Sequence, residues 1–276
     1  MRAIILLFLV VFIGVDESKS QIIRKTSLKY FSYKLQGANT TTKQLVNGGT
    51  GFIFTYGEHD FLVTNYHVLT GKNVSTGKKL ENLPDTCNAV IIWFRDEKVD
   101  TFKRVLVPIY DSFGVRLFSI YYADSETLFD LAVLALFPEQ FPPGIKKYSI
   151  TVKSIDTLTY NKAGLRVLIS GFPRGASEPT IKTAVTIKQR MRGNTITPLI
   201  FFSDSTLQGM SGSPIWIAAH AANGISLIGI NALNPTFDIA NPKIRGAGVY
   251  FKYAMTLIEE MIRTDHINID LRYGSQ

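Results

Sequence analysis

The chain has 276 residues, of which 46% are hydrophobic and 19% are charged, with 21 glycines and 11 prolines. This is the composition of a globular protein with enough apolar material for a sizeable core, and it predicts one or two domains. The net charge of +8 comes from Lys and Arg residues scattered along the chain. Because no basic block or aromatic nucleic-acid motif accompanies them, we expect no nucleic-acid partner.

The first twenty residues have the pattern of a secretory signal peptide. An apolar run, AIILLFLVVFIGV, is too short for a comfortable membrane span, and the polar DESKS follows it. Ser18 and Ser20 suit a small-residue cleavage site before Gln21. We expect cleavage there, a secreted or periplasmic location and no stable membrane span afterwards, with a retained anchor as the alternative. Residues 21–44 would then be an N-terminal arm or propeptide.

The single cysteine, Cys87, cannot form an intramolecular disulfide. An exported protein of this kind must be held together by its core, which favours a bacterial envelope or secreted protein over an animal extracellular one. Cys87 has no CxxC partner and no nearby histidine, so we interpret it as a small buried hydrophobic residue.

Short β patterns rich in Val, Ile, Phe and Tyr fill most of the mature chain, bounded by Gly, Pro, Asn or Asp. They lie at residues 50–56, 60–66, 88–94, 103–110, 115–123, 130–136, 165–172, 180–189, 198–203, 213–219, 225–233 and 247–253. No regular βαβ alternation links them, so the predicted fold is all-β with antiparallel sheets.

A linker and a helix divide this pattern into parts. Residues 137–147 contain three prolines and one glycine, which suits a connection between two groups of strands. Apolar residues recur with helical spacing from Tyr253 to Arg263 and predict one C-terminal α-helix. We therefore expect two β-barrels, because closure removes exposed edge strands. The first would span 45–150 and the second 151–252, with the helix and tail at 253–276.

Three polar residues stand at positions that suit catalysis. Ser211 lies between two glycines in LQGMSGSPIW, His67 directly follows an apolar strand in FLVTNYHVLTG, and Asp130 opens the apolar run DLAVLAL. A serine hydroxyl needs a base, a carboxylate to orient that base and donors for the oxyanion. Taken singly, the histidine and the aspartate would each be explained better by a structural role.

Together, TNYHV, FDLAVL and GMSGSP, in that order, resemble the chymotrypsin-like (trypsin-like, S1-type) serine peptidases over residues 50–263. The resemblance implies two six-stranded antiparallel Greek-key β-barrels with the active site between them. It also implies that Ser211 is the nucleophile, His67 the general base and Asp130 the residue that orients His67. The backbone amides of Gly209 and Ser211 would form the oxyanion hole.

Two departures from the digestive members of the family are informative. Met210 stands where those enzymes carry the aspartate that receives a newly freed amino terminus, so activation by that ion pair is not expected. The sequence SGSP and the lack of disulfides are closer to exported bacterial members such as the glutamyl endopeptidases.

The resemblance also implies a primary substrate pocket. Its walls would be formed by Ser205, Thr206, Gln208, Asn231, Asn234 and Gly248. Ser205 takes the place of the aspartate at the base of the trypsin pocket, so a preference for Arg or Lys is not supported. Asn231 takes the place of a histidine of the glutamyl endopeptidases. The implied pocket is polar and uncharged, which is compatible with a small, polar or acidic substrate residue.

The sequence thus predicts an exported serine endopeptidase that acts as a monomer on proteins or peptides, without a cofactor or metal. One alternative is a catalytically silent binding protein on the same fold. The other is an envelope quality-control protease of the HtrA kind that lacks a PDZ domain, since only about a dozen residues follow the predicted helix. A metal enzyme is disfavoured because the histidines are far apart and no HExxH motif is present.

Overall fold

The computed structural model describes residues 24–96, 101–122, 128–156, 162–187, 199–218, 224–232 and 243–273. The expected signal peptide lies outside these ranges. Two groups of strands, each built on its own sheet, are followed by a long C-terminal helix. The strands are short and apolar at alternate or successive positions, as expected for sheets that bury one or both faces.

The N-terminal group contains eight strands in the order β5-β4-β1-β2-β3-β7-β6, and β8 pairs in parallel with β2. The strands are β1 (Tyr33–Asn39), β2 (Gln44–Tyr56), β3 (His59–Thr64), β4 (Ala89–Asp96), β5 (Thr101–Pro108), β6 (Phe118–Tyr122), β7 (Leu128–Leu136) and β8 (Ser149–Thr151). A short helix, α1 (Tyr66–Thr70), follows β3. Single 3-10 turns lie at Pro138–Gln140 and Val152–Ser154, and a longer 3-10 helix lies at Lys25–Phe31.

The C-terminal group closes into a six-stranded antiparallel barrel in the order β10-β11-β14-β13-β12-β9. Its strands are β9 (Arg166–Gly171), β10 (Thr180–Ile187), β11 (Leu199–Phe202), β12 (Pro214–Ala218), β13 (Ile225–Ala232) and β14 (Gly246–Tyr250). The helix α2 (Phe251–Tyr273) follows β14 without a break and begins two residues before the predicted start.

The predicted all-β class with a C-terminal helix is confirmed, and each of the twelve β patterns corresponds to a strand. The N-terminal group has two strands more than the six expected, β1 and β8. The β1 sequence, YKLQGAN, contains a glycine and only three hydrophobic residues, and β8 has three residues. Neither carries the apolar density that identifies a strand in a single sequence.

Strand β1 lies inside the segment 21–44, for which the sequence predicts an N-terminal arm or propeptide. In the structure it occupies the middle of the sheet between β2 and β4, with Leu35 opposite Gly49 and Ile92. Leu35 is fully buried. The segment from Tyr33 onward is therefore part of the folded sheet, and its removal would expose the edges of two strands.

One apolar cluster joins the two groups of strands and α2. The ring of Phe251, at the start of α2, packs against Phe54 with a centroid distance of 4.8 Å and against Phe52 at 5.9 Å. Phe31 meets Trp216 of β12 edge-on at 5.9 Å. The helix and the N-terminal segment thus close the core from opposite ends of the chain.

The burial of β1 predicts a stability difference between two leucines. We expect Leu35→Ala to lower the free energy of unfolding by about 2–5 kcal/mol, because it removes a fully buried side chain. The same change at Leu106 on β5, which is 52% exposed, should cost within about 0.5 kcal/mol. Urea unfolding followed by tryptophan fluorescence measures both, and equal effects would show that β1 is not part of the core.

Candidate active site

Helix α1 places His67 directly after β3. Asn65 is extended and leaves the strand, and the helix ends at Gly71, which has a φ of 69°. The carbonyl of His67 accepts a hydrogen bond from Gly71 N at 2.9 Å and another from Asn47 Nδ2 of β2 at 2.7 Å. The sequence predicted a strand end opening into a loop, and the structure shows one short helix there.

Asp130, on β7, holds His67 at two points. Its Oδ2 lies 2.6 Å from His67 Nδ1, and its Oδ1 accepts the backbone amide of His67 at 3.0 Å. The side chains are 11% and 14% exposed. An ionised carboxylate only accepts, so Nδ1 carries the shared proton and Nε2 of the neutral ring is left as the acceptor. Asn65 Nδ2 also donates to the carbonyl of Asp130 at 2.5 Å, which ties the start of α1 to β7.

Ser211 lies on the turn between β11 and β12. Met210 N donates to Leu207 O at 3.0 Å, and Gly209 has a φ of 93°. A hydrogen bond across four residues with a left-handed glycine at the third position defines a type II turn. Gly212 follows Ser211 with a φ of 84°, and its amide donates to Asn231 O at 2.8 Å.

The peptide between Gln208 and Gly209 is held in one orientation. The amide of Arg174 donates to the carbonyl of Gln208 at 2.6 Å. In a trans peptide the N–H points opposite to the C=O, so the amide of Gly209 faces away from Arg174. Within the described ranges the amides of Gly209 and Ser211 donate to no protein group, whereas those of Met210, Gly212 and Ser213 are bonded to carbonyls.

Strand β2 contacts both halves of this site. The Thr50 amide donates to the carbonyl of Ser211 at 2.8 Å, and the Thr50 hydroxyl donates to the carbonyl of Gly209 at 3.0 Å. A Cβ on Gly49 would lie 2.6 Å from Val68 Cγ2 and 3.2 Å from Ser211 O, so only glycine lets α1 and the Ser211 turn approach so closely. The structure therefore places two parts of the predicted site against β2: the helix that carries His67, paired with Asp130, and the turn that carries Ser211.

Sequence reasoning missed three of these positioning residues: Asn47, Thr50 and Asn65. Asn47 stands in VNGG, which reads as a turn signal, and Thr50 begins a strand pattern. Their partners lie between 20 and 159 residues away along the chain. No local pattern reports contacts of that range.

The predicted pocket residues are also placed, apart from Asn234, which lies outside the described residues. Ser205 and Gln208 are exposed and Thr206 is half-buried, while Gly248 of β14 pairs with Asn231 of β13. Asn231 is 1% exposed, and its Nδ2 donates to Met210 O at 2.8 Å and to Thr206 Oγ1 at 3.2 Å. The Lys182 ammonium group donates to the carbonyl of Ser205.

Cys87 is buried beside the same strand, and its Sγ lies 3.5 Å from Asn47 Oδ1. Burial, followed by the nearby charge of Asp85, raises the pKa of the thiol from its ordinary value of 9.0 to about 12. A thiol with such a pKa is neutral at physiological pH and a poor nucleophile. This agrees with the interpretation of Cys87 as a buried hydrophobic residue.

Two sheets with a terminal helix, and a His–Asp pair beside a turn that carries a serine, are typical of a class of hydrolases. Comparison of the sequence with models of protein families identifies the family within this class. The model of the trypsin-like peptidase domain matches residues 49–225. The chain belongs to this family of peptidases. No curated protein sequence matches the chain.

Two solved structures have a similar fold. The crystal structure of the Rv3671c protease from M. tuberculosis in its active form superposes with a TM-score of 0.51 at 17% identity, covering 85% of this chain and 82% of that one. The Deg5 crystal structure gives a TM-score of 0.50 at 18% identity, covering 84% and 88%. At these identities the likeness supports the fold.

In the parts of the chain that the structure describes, no α-helix is both long enough and apolar enough to cross a membrane. No group of three His, Cys, Asp or Glu side chains in those parts is arranged to hold a metal ion.

The raised pKa of Cys87 predicts that the native thiol is protected. At pH 8 a thiol with a pKa of about 12 is roughly 0.01% thiolate, so we expect Ellman's reagent to react with the native protein at least about 100-fold more slowly than with the urea-unfolded chain. The Cys87→Ala variant supplies the blank. Equal rates in the two states would show that the thiol is accessible.

Proposed function

We propose that the protein is an exported serine endopeptidase that hydrolyses peptide bonds through Ser211, His67 and Asp130. The observation that carries this proposal is the two-point contact between Asp130 and His67, beside a turn that presents Ser211. A carboxylate bonded to both Nδ1 and the backbone amide fixes the ring and its tautomer. Membership of the trypsin-like peptidase family and the signal-like N-terminus support the reaction class and the secreted or periplasmic location.

In this mechanism the Ser211 hydroxyl attacks the carbonyl carbon of the substrate. His67 Nε2 takes the hydroxyl proton and later gives it to the leaving amine, which yields an acyl-enzyme on Ser211. Asp130 stabilises the imidazolium that forms and remains ionised. Water then repeats the sequence and releases the acyl product.

The amides of Gly209 and Ser211 stabilise the charge that develops on the substrate oxygen. Both are left unbonded by the rest of the turn in the described structure, and the Gln208–Gly209 peptide is fixed by Arg174. A donor of this kind is worth about 3 kcal/mol in the transition state. The orientation of one peptide plane is therefore expected to change the rate by about 100-fold.

Labelling with a fluorophosphonate probe tests the proposal. We expect covalent modification of the purified protein at Ser211, which both Ser211→Ala and His67→Ala abolish, because the probe reacts only with an activated serine. Peptide mapping by mass spectrometry locates the adduct. The neighbouring Ser213 is fully buried, and Ser213→Ala provides a control on the same peptide that should label normally.

A folded protein that gives no adduct would contradict the proposal and favour a silent binding protein on this fold. An adduct that survives in His67→Ala would contradict the role of His67 as the base. Circular dichroism on each variant confirms that the fold is retained.

The peptide orientation can be tested at Arg174 without touching the turn itself. Ala176 N donates to Pro173 O at 2.9 Å and Gly175 has a φ of 80°, so Arg174 is the second residue of a type II turn, where proline is favoured. Arg174→Pro keeps this turn and removes the amide that binds Gln208 O. We expect the rate constant for labelling of Ser211 to fall about tenfold, the equivalent of one hydrogen bond.

The matched control is Arg174→Ala, which retains the amide and removes only the exposed side chain. Its labelling rate should stay within about twofold of the unaltered protein. Equal losses in the two variants, or a loss that follows a lowered melting temperature, would show that the amide does not position the oxyanion peptide.

A further inference from the structure

The side-chain amide of Asn231 is buried, and only its nitrogen atom is hydrogen-bonded. Its Nδ2 donates to the carbonyl of Met210 and to the hydroxyl of Thr206, at 2.8 and 3.2 Å. The Met210 carbonyl can only accept, so the nitrogen must face it and the orientation of the amide is fixed. Within the described ranges Asn231 Oδ1 is buried and has no hydrogen-bond partner.

Thr206 supplies the complementary group. Its hydroxyl oxygen accepts from Asn231, which leaves the hydroxyl hydrogen as a donor. In the described part of the chain this hydrogen has no protein acceptor. An acceptor without a partner, Asn231 Oδ1, and an available donor, the Thr206 hydroxyl, therefore lie on two side chains that are hydrogen-bonded to each other.

Both side chains are fixed to the turn that carries Ser211. Asn231 O accepts from Gly212 N, and Asn231 N donates to Ser213 O, each at 2.8 Å. Thr206 lies five residues before Ser211 on the same loop. Asn231 Nδ2 also binds the carbonyl of Met210, the residue before Ser211. We therefore expect the side chain of the P1 residue, on the acyl side of the scissile bond, to reach this pair when the substrate carbonyl carbon lies at Ser211.

The pair is complementary to few side chains. A primary carboxamide accepts from the Thr206 hydroxyl through its C=O and donates to Asn231 Oδ1 through its NH₂. A carboxylate would place a second acceptor against Oδ1, and an apolar side chain would leave Oδ1 buried and unbonded. The Lys182 ammonium group on the Ser205 carbonyl disfavours a cationic side chain at that wall.

We propose that this pocket selects a primary carboxamide at P1, which is the side chain of glutamine or asparagine. This inference rests on the proposed peptidase function and assigns its substrate class. A site built to hydrogen-bond a substrate group rejects analogues that lack the group, because its own polar atoms are then left unpaired.

A set of peptides that differ only at P1 tests the inference in one competition experiment. The P1 residues are Gln, Asn, Glu, Met and Arg, where Glu and Met have nearly the shape of Gln without its amide. Mass spectrometry gives the relative kcat/KM and confirms the cleaved bond. We expect Gln or Asn to exceed Glu, Met and Arg by about tenfold or more. Equal or faster cleavage after any of these three would overturn the assignment.

The isosteric variant Thr206→Val then locates the preference. It removes the hydroxyl both as the donor to the substrate amide and as the acceptor for Asn231 Nδ2, so the ratio of kcat/KM for Gln over Met should fall by about tenfold. Thr183→Val, at an exposed threonine on β10, is the matched control and should leave the ratio unchanged. An unchanged ratio in Thr206→Val would show that Thr206 does not bind the amide.

The same samples are treated with the fluorophosphonate probe. If Ser211 is labelled and the peptides are cleaved with equal kcat/KM whether or not P1 carries an amide, the pocket assignment is wrong and the proposed peptidase function is supported. Absence of both labelling and cleavage would overturn the proposed function and this inference with it.

Discussion

The contact between Thr50 and the Ser211 turn connects the two parts of the candidate site, because His67 and Asp130 lie with the first sheet and Ser211 with the second. Thr50 is fully buried and uses its amide, hydroxyl and carbonyl at once. The amide and hydroxyl donate to the Ser211 turn, the hydroxyl also accepts from Phe172 N at 2.9 Å, and the carbonyl accepts from the Thr64 hydroxyl at 2.7 Å. One residue thereby fixes the distance between the two sheets at the point where the proposed chemistry occurs.

Met210 shows how the turn is stabilised without an ion pair. Its side chain is fully buried in an apolar cluster with Ile169 and Ile215 of the second barrel. Apolar burial does not depend on pH or on a newly created amino terminus, in contrast to a buried salt bridge. The shape of the turn, with Gly209 in the left-handed region and Gln208 O bonded to Arg174 N, is built into the folded chain.

Most strands and the terminal helix could be predicted from the sequence because apolar periodicity and turn residues are local signals. Strand β1 could not, since its partners β2 and β4 supply the burial that its own composition lacks. The candidate residues His67, Asp130 and Ser211 were identified through their flanking motifs. Asn47, Thr50 and the orientation of the Asn231 amide depend on tertiary contacts that no short sequence segment encodes.

The N-terminal segment binds to parts of the chain that are synthesised much later. Ser32 Oγ contacts the carbonyl and hydroxyl of Ser170, at 2.9 and 2.7 Å, and Phe31 packs against Trp216. Such contacts give the fold a high contact order, and they form only after the intervening chain is available. During synthesis, which begins at the amino terminus, the N-terminal segment therefore lacks its final partners until residues 170–216 have been added. The assembly of the core and the completion of the candidate site therefore depend on the same late contacts.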